Sequence, residues 1–242
     1  MIVRLDEAPP EELGGKAAGL ARLAGMGLPV PRCVVVPVGD HGVVADPRGL
    51  ILELGEPLAV RSSAVGEDAQ DRSAAGQFET ILGVTGDALA DAVRRVHDSA
   101  RSERARAYMG HRASAMAVII QREVAAGRSG VAFSTDPITG EDAVLIECVF
   151  GPGDGLVSGL LDPDRFAVAP DGSVRARLTE KDGAGRTLRS LRDDEARAVA
   201  AFVRRAAKGF GHPVDVEFCF DADRPTLWLL QCRAITAGGP AR

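Results

Sequence analysis

The last quarter of the chain carries a carboxylate, an amide and a guanidinium at a spacing that suits phosphate chemistry. Glu217 lies in the apolar segment VDVEFCF, and Gln231 and Arg233 lie in the later segment LWLLQCRA. Carboxylate and amide oxygens are ligands for Mg²⁺, and an arginine fork binds phosphate oxygens. These residues therefore suit Mg²⁺ with a bound polyphosphate, although a structural ion pair between Glu217 and Arg233 would use the same residue types.

The two segments predict a terminal β-hairpin, with strands over Val214 to Phe220 and Thr226 to Cys232 joined by DADRP. A five-residue turn pairs Phe220 with Thr226, and Glu217 then lies opposite Leu229 and diagonally from Gln231. Strand side chains alternate between faces, so Gln231 and Arg233 share the face of Glu217. A change of one residue in the length of the turn would reverse this facing.

Three glycine- or arginine-containing segments are further candidates for anion binding. Gly14-Gly15-Lys16 begins a helix, where free N–H groups and a lysine attract phosphate, but it does not have the P-loop spacing. Arg61 ends a strand, and the glycines of Gly151-Pro152-Gly153-Asp154-Gly155 follow a buried strand. The structural alternatives are a solvated lysine, a surface ion pair and a plain turn.

Apolar periodicity predicts short strands mixed with three helices. The helices are expected over Leu13 to Ala24, Asp87 to Met109 and Asp193 to Lys208. Besides the terminal hairpin, strands are expected over Cys33 to Val36, Leu58 to Arg61, Met116 to Gln121, Gly130 to Phe133, Ala143 to Cys148, Phe166 to Ala169 and Val174 to Leu178. Residues 37–57 contain turn residues and are expected to form an irregular connection. The absence of regular βαβ alternation favours the α+β class.

Composition narrows the classes of partner. The 242 residues are 45% hydrophobic and 26% charged, which is globular, and this length allows one or two domains. A net charge of −5 and 4% aromatic residues disfavour nucleic acid as a partner. No apolar run approaches the roughly 18 residues that span a bilayer, so no membrane partner is expected. The four cysteines are widely spaced and are expected to be buried thiols in the cytoplasm rather than metal ligands or disulfides.

Five blocks carry a family resemblance that covers nearly the whole chain: LGGKAAGLARLAGMGLPVP, LAVRSSAVGEDAQDRSAAGQFETILGV, MAVIIQREVAAGRSGVAFSTDPITGE, ECVFGPGDGLVSG with DPDRFAV, and PVDVEFCF with LWLLQCRAIT. In this order they resemble the N-terminal ATP-binding domain of phosphoenolpyruvate synthase, pyruvate phosphate dikinase and rifampicin phosphotransferase. The resemblance implies an ATP-grasp fold: a single domain over residues 1–238, with lobes of about 1–110 and 111–238 and a shortened first lobe.

The resemblance also implies the roles of individual residues. Lys16, Arg61 and Arg233 match catalytic residues that contact phosphates, and Glu217 and Gln231 match the ligands of Mg²⁺. The remaining ATP-binding positions match Thr80 in the flap block, Gln121 near the adenine, and Glu123 and Val124 at the hinge. Two motif positions depart from the family pattern, Asp154 in place of glutamate and Ala234 in place of proline.

None of the four histidines lies in the T-S-H motif by which the family accepts phosphate: His41, His97, His111 and His212. We therefore expect neither a phosphohistidine domain nor a domain that binds phosphoenolpyruvate or pyruvate. The expected function is a stand-alone Mg-ATP-binding phosphotransferase that transfers a phosphoryl group to a histidine of a partner protein or to a small molecule. The alternatives are a non-catalytic ATP-binding regulatory domain and an ATP-grasp ligase.

Overall fold

A computed structural model describes residues 2–40, 44–66, 79–99, 115–137, 140–157, 159–180 and 188–235. Within these ranges the chain forms one five-stranded and one six-stranded antiparallel sheet with flanking helices, which confirms the α+β class. The chain divides into two compact units, Met1–Gly25 with Val30–Glu123 and Met26–Pro29 with Val124–Arg242.

The first unit is built on the five-stranded sheet, in the order β1-β2-β5-β3-β4. Its strands are β1 (Val3–Arg4), β2 (Cys33–Val36), β3 (Leu58–Ala64), β4 (Thr80–Val84) and β5 (Met116–Arg122). Its helices are α1 (Pro10–Gly25), α2 (Pro47–Leu54) and α3 (Leu89–Ser99). The predicted strand over Cys33 to Val36 is confirmed with the same bounds, and the later part of the long helix predicted to reach Met109 lies outside the described residues.

Alternation along the strands gives the first sheet two packed faces. One face joins α3 in an apolar core whose members include Val34, Val60, Ile120, Leu89 and Val93. Helix α1 contacts β3 and β5 and buries Leu13, Ala17, Leu20 and Leu23. Their recurrence at three- and four-residue intervals puts them on one side of the helix, as the periodicity predicts.

The prediction that residues 37–57 form only an irregular connection is wrong, because they contain α2. Asp46 caps this helix, since its Oδ1 accepts a hydrogen bond of 2.9 Å from the N–H of Gly49. Pro47 occupies the first turn, where a missing N–H costs nothing. The sequence Asp-Pro-Arg-Gly has turn chemistry, but Asp followed by Pro is equally a helix start, and packing of the apolar residues against the core favours the helix.

The second unit is built on the six-stranded sheet, in the order β11-β10-β6-β7-β8-β9. Its strands are β6 (Ala126–Phe133), β7 (Val144–Phe150), β8 (Asp164–Val168), β9 (Val174–Arg177), β10 (Val214–Asp221) and β11 (Leu227–Ala234). Its helices are the single turn α4 (Asp154–Val157) and α5 (Asp193–Phe210). The predicted hairpin of β8 and β9 is confirmed, with Val168 paired to Val174.

Helix α5 covers one face of this sheet. Its buried residues include Ala196, Val199 and Val203, and the facing strands bury Phe166 and Phe218. The carboxylate of Glu195 accepts a hydrogen bond of 2.8 Å from the N–H of Arg192 at the start of the helix. Gly211, with φ of +70°, ends it. The opposite face of the sheet is left for the polar residues of β10 and β11.

Candidate functional site

A single serine holds the glycine-lysine segment against the arginine strand of the first unit. Ser63 Oγ donates a hydrogen bond of 2.8 Å to the carbonyl of Leu13 and accepts one of 3.0 Å from the N–H of Ala17. Gly14 lies between them with φ of +70° and ψ of 174°, which interrupts α1 just before Lys16. The helical turn that carries Lys16 therefore begins at the end of β3.

Strand register brings three predicted site residues to one face of the first sheet. Arg61 pairs directly with Thr80 on one side and with Ile119 on the other. Gln121 lies two residues from Ile119 and thus on the same face. Ser63 is two residues from Arg61, so this is also the face on which Lys16 is anchored.

Two residues predicted near the adenine and the hinge, Gln121 and Glu123, have backbone partners. Gln121 is buried, and its Nε2 donates a long hydrogen bond of 3.4 Å to the carbonyl of Pro31. The carboxylate of Glu123 accepts a bond of 2.5 Å from the N–H of Gly83 in β4. The first unit ends at Glu123, and the second resumes at Val124. Glu123 thus links the end of β5 to the edge strand.

The predicted register of the terminal hairpin is wrong. Phe220 pairs with Leu227 rather than with Thr226, and Glu217 pairs with Gln231 rather than with Leu229. The turn between the paired strands is one residue longer than expected. A β-bulge between Glu217 and Phe218 on β10 then leaves Leu230 as the extra residue on β11.

The longer turn and the β-bulge have opposite effects on which face of the sheet Gln231 occupies, and the two effects cancel. A longer turn alone would place Gln231 on the face opposite to Glu217, because side chains alternate with a period of two. The extra residue at Leu230 reverses the alternation again. Glu217 and Gln231 are therefore direct cross-strand neighbours, whose Cα atoms lie about 4.5–5.5 Å apart, rather than the diagonal pair that the sequence predicts.

Asp215, which sequence reasoning missed, is the partner of Arg233. Arg233 Nε lies 2.9 Å and 2.7 Å from the two carboxylate oxygens of Asp215. Asp215 is only 8% exposed and sits two residues before Glu217, directly opposite Arg233. The D-x-E spacing opposite Q-x-R is the signal that could have revealed this pair, since both members of each motif share one face.

The glycine-rich segment after β7 is anchored beside this face. Ser129 Oγ donates a bond of 2.8 Å to the carbonyl of Gly151, whose N–H donates one of 2.8 Å to Gly127. Ser129 pairs with Cys219, so it lies on the face that carries Glu217. Asp154 begins α4 at the end of this segment.

The oxygen donors of Glu217 and Gln231 suit Mg²⁺ that is also bound by phosphate, rather than a metal ion held by protein side chains alone. In the described ranges there is no group of three or more His, Cys, Asp or Glu residues that could hold a metal ion. Mg²⁺ characteristically uses one or two carboxylates together with phosphate oxygens. The direct pairing of Glu217 with Gln231 matches that mode.

The four cysteines are free thiols; Cys148, Cys219 and Cys232 are buried as predicted, whereas Cys33 is only partly buried. Burial raises the pKa of Cys33 to about 12, with Arg61 acting weakly in the opposite direction. Burial likewise raises the pKa of Cys219 to about 12. Thiols with these pKa values stay protonated and are poor nucleophiles.

Two of the four histidines lie within the described residues. His97 lies in α3 and His212 follows α5, whereas His41 and His111 lie outside the described residues. Across the part of the chain that the structure describes, no helix is both long and apolar enough to cross a membrane.

Solved structures share the fold of this chain. The D-alanine–D-alanine ligase from Bacillus anthracis complexed with ATP matches 93% of this chain and 55% of its own, with a TM-score of 0.51 and 12% identity. An ADP complex of N5-carboxyaminoimidazole ribonucleotide synthetase matches 95% of this chain and 47% of its own, with a TM-score of 0.51 and 13% identity. The protein therefore has the ATP-grasp fold.

Within that class, residues 48–241 match the family described as pyruvate phosphate dikinase, AMP/ATP-binding domain. The chain belongs to this family, which confirms the resemblance inferred from the five motif blocks.

Among curated relatives, a rifampicin phosphotransferase from Streptomyces is 36% identical over 97% of this chain and 29% of its own length. A probable phosphoenolpyruvate synthase from Archaeoglobus fulgidus is 33% identical over 74% of this chain and 27% of its own length. The prodigiosin synthesizing transferase PigC from Serratia marcescens is 32% identical over 94% of this chain and 32% of its own length. The chain spans less than a third of each of these relatives.

Proposed function

We propose that this chain binds Mg²⁺-ATP and serves as the phosphoryl-donating domain of a phosphotransferase. The observation that carries the proposal is the direct pairing of Glu217 with Gln231, next to the Asp215–Arg233 pair on the same sheet face. Membership of an AMP/ATP-binding family supports the nucleotide, and relatives named as phosphotransferases support the reaction class. The whole domain is proposed to cover residues 1–238.

In this proposal Glu217 and Gln231 hold Mg²⁺ through one carboxylate and one amide oxygen. When bound, the metal neutralises charge on the phosphates and polarises the transferred phosphoryl group. Arg233 contacts the phosphates, and Asp215 fixes the guanidinium by accepting from Nε. An arginine has five N–H donors in a rigid fork, so one anchored donor orients the others.

The first unit supplies the other contacts in the proposal. Lys16 and Arg61 add positive charge for the phosphates, and Thr80 lies opposite Arg61. Gln121, Glu123 and Val124 are assigned to the adenine and the hinge. In the proposal the phosphoryl group passes directly from ATP to the acceptor, so these groups act by positioning the reactants and neutralising charge.

The acceptor is proposed to be a histidine on a partner protein or a small molecule. The chain covers 29% of a rifampicin phosphotransferase and 27% of a probable phosphoenolpyruvate synthase, so the acceptor is not assigned to residues of this chain. A cytoplasmic location is also proposed, because free thiols persist in a reducing compartment.

Calorimetric titration with ATP, in the presence and absence of Mg²⁺, tests the binding step. The wild-type chain should bind ATP at least about tenfold more tightly with Mg²⁺, and Glu217→Gln should lose that dependence because it removes the carboxylate ligand. Asp223→Asn is the matched control, since Asp223 is an exposed acid in the turn of the same hairpin. Equal Mg²⁺ dependence in all three proteins would refute the assignment of the metal site.

Incubation with γ- and β-labelled ATP and candidate acceptors tests transfer. Label that moves to a partner protein or small molecule, and fails to move with Glu217→Gln, supports the phosphotransferase. Tight binding without turnover under any pairing indicates the regulatory alternative. Release of ADP that requires a carboxylate and an amine indicates the ligase alternative.

A further inference from the structure

Trp228 has a buried hydrogen-bond donor that nothing in the described chain satisfies. It is the single tryptophan of the sequence and lies in β11. Its Nε1 is inaccessible to solvent and has no hydrogen-bond partner in the described ranges. Buried indole N–H groups usually find an acceptor, and an unpaired donor destabilises the structure that contains it. The contacts of the described residues thus leave this donor without an acceptor.

The indole lies on the face of the sheet that carries the proposed metal ligands. Trp228 pairs directly with Cys219, which is two residues from Glu217 along β10. Two residues of a strand span about 7 Å and return to the same face. Trp228 is therefore one cross-strand level away from the Glu217–Gln231 pair.

This level lies on the side of the metal ligands that faces Val124. At that end of β10, Asp221 pairs with Ala126, and the N–H of Ala222 donates a bond of 2.7 Å to Ala125. Both contacts lie next to Val124, which is assigned to the hinge. The levels along β10 thus run from the Asp215–Arg233 pair, through Glu217 and Trp228, to the segment after Val124, over about 20 Å.

A nucleoside triphosphate aligned with these levels has a defined order of groups. In the proposed function its terminal phosphates lie by Arg233 and the metal ligands, which puts its base toward the hinge at Val124. The ribose and the α-phosphate fall between them, at the level of Trp228. Ser129 occupies this level on β6 and holds Gly151, so the glycine-rich segment borders the same part of the face.

We propose that the Nε1–H of Trp228 donates a hydrogen bond to an oxygen at the ribose–α-phosphate junction of a bound nucleoside triphosphate. This inference rests on the proposed ATP-binding function. The nitrogen is screened from solvent in the nucleotide-free structure, so a bound nucleotide must alter its surroundings to reach it. Binding must consequently change the surroundings of the indole, and with one tryptophan in the chain the fluorescence change reports on that position alone.

The test compares the wild-type chain with Trp228→Phe, which keeps an aromatic ring and removes the donor. The Kd for Mg²⁺-ATP should rise about three- to tenfold, the loss of one hydrogen bond. The thermal midpoint of the nucleotide-free variant should equal or exceed that of the wild type, because an unsatisfied donor has gone. Wild-type tryptophan emission should change on titration with Mg²⁺-ATP.

Two further titrations locate the contact. AMP retains the ribose and the α-phosphate, so its Kd values for the two proteins should differ by the same factor as those of ATP. Inorganic triphosphate lacks the ribose, so its Kd values for the two proteins should be equal. The proposal would be overturned if the two proteins bound ATP with equal affinity, or if their affinities differed for inorganic triphosphate but not for AMP. Absence of ATP binding by the wild-type chain would instead refute the proposed function itself.

Discussion

The hydroxyl of Ser63 accepts a hydrogen bond of 3.0 Å from the N–H of Ala17, across 46 residues of sequence. Because the same oxygen donates to the carbonyl of Leu13, one side chain satisfies two backbone groups on either side of the break at Gly14. Serine oxygens cap helices in this way at the free N–H groups of the first turn. The contact fixes the start of the helical turn that carries Lys16 relative to the strand that carries Arg61.

Ser63→Ala should lower the free energy of unfolding by about 1–2 kcal/mol, because it removes the cap and leaves buried backbone groups unpaired. Ser62→Ala is the matched control, since Ser62 is equally buried but its Oγ has no partner in the described ranges. That variant should be neutral or slightly stabilising. Urea unfolding of both variants checks the difference, and equal destabilisation would contradict the capping role.

Gly14→Ala should destabilise the fold more than Ser63→Ala does. Its free energy of unfolding should fall by about 3 kcal/mol or more relative to the wild type. The φ of +70° with ψ of 174° is a region that only glycine occupies readily, and a Cβ would lie 2.1 Å from the carbonyl oxygen of Ser63. The control is Gly25→Ala, where a Cβ meets nothing within 4 Å. Thermal unfolding should show a large decrease for Gly14→Ala alone, and similar midpoints for the two variants would exclude a tight contact at Gly14.

The buried ion pair of the second unit predicts a pH dependence of stability. The carboxylate of Glu195 accepts bonds of 2.7 Å and 2.8 Å from the guanidinium of Arg128. This hydrogen bonding lowers the pKa of Glu195 in the folded chain. The folded state therefore binds this proton less readily, so the stabilisation is complete above the unfolded pKa of about 4.3 and is lost as the pH falls through the lower folded value.

Glu195→Gln should accordingly cost about 3 kcal/mol near neutral pH, because it leaves the charge of Arg128 without its partner. The difference from the wild type should shrink as the pH falls below about 4. Asp194→Asn, which removes an exposed partner of Arg192, should change stability little at either pH. Urea unfolding as a function of pH provides the measurement, and a constant difference across that range would contradict the linkage.

Asp215→Asn should weaken the binding of ATP about tenfold while leaving the binding of adenosine nearly unchanged. The variant keeps the shape of the side chain but replaces the ion pair with Arg233 by a hydrogen bond to a neutral amide oxygen. Its effect should not add to that of Arg233→Ala, because both act through the guanidinium. Calorimetry on the two single variants and the double variant provides the check. Additive losses, or an equal loss for adenosine, would show that Asp215 acts independently of Arg233.

Local pattern was sufficient for much of the fold. Cys33–Val36 is an apolar segment bounded by prolines and was predicted with its observed limits, and the periodic helix Asp193–Phe210 was predicted to within two residues. Both predictions depend on local periodicity, either alternation or a 3.6-residue period, which does not depend on contacts with distant parts of the chain. Helix α2 escaped detection because its Asp-Pro start is equally typical of a turn.

The family could be recognised from the amino-acid sequence, since five motif blocks occur in the order that the family uses. The sequence also determined that Glu217, Gln231 and Arg233 belong to one hairpin. Tertiary structure alone decided that Glu217 faces Gln231 directly and that Asp215 holds Arg233. Register depends on the length of the turn and on the bulge at Leu230, and these follow from how two strands satisfy their backbone hydrogen bonds against β6, which no local pattern encodes.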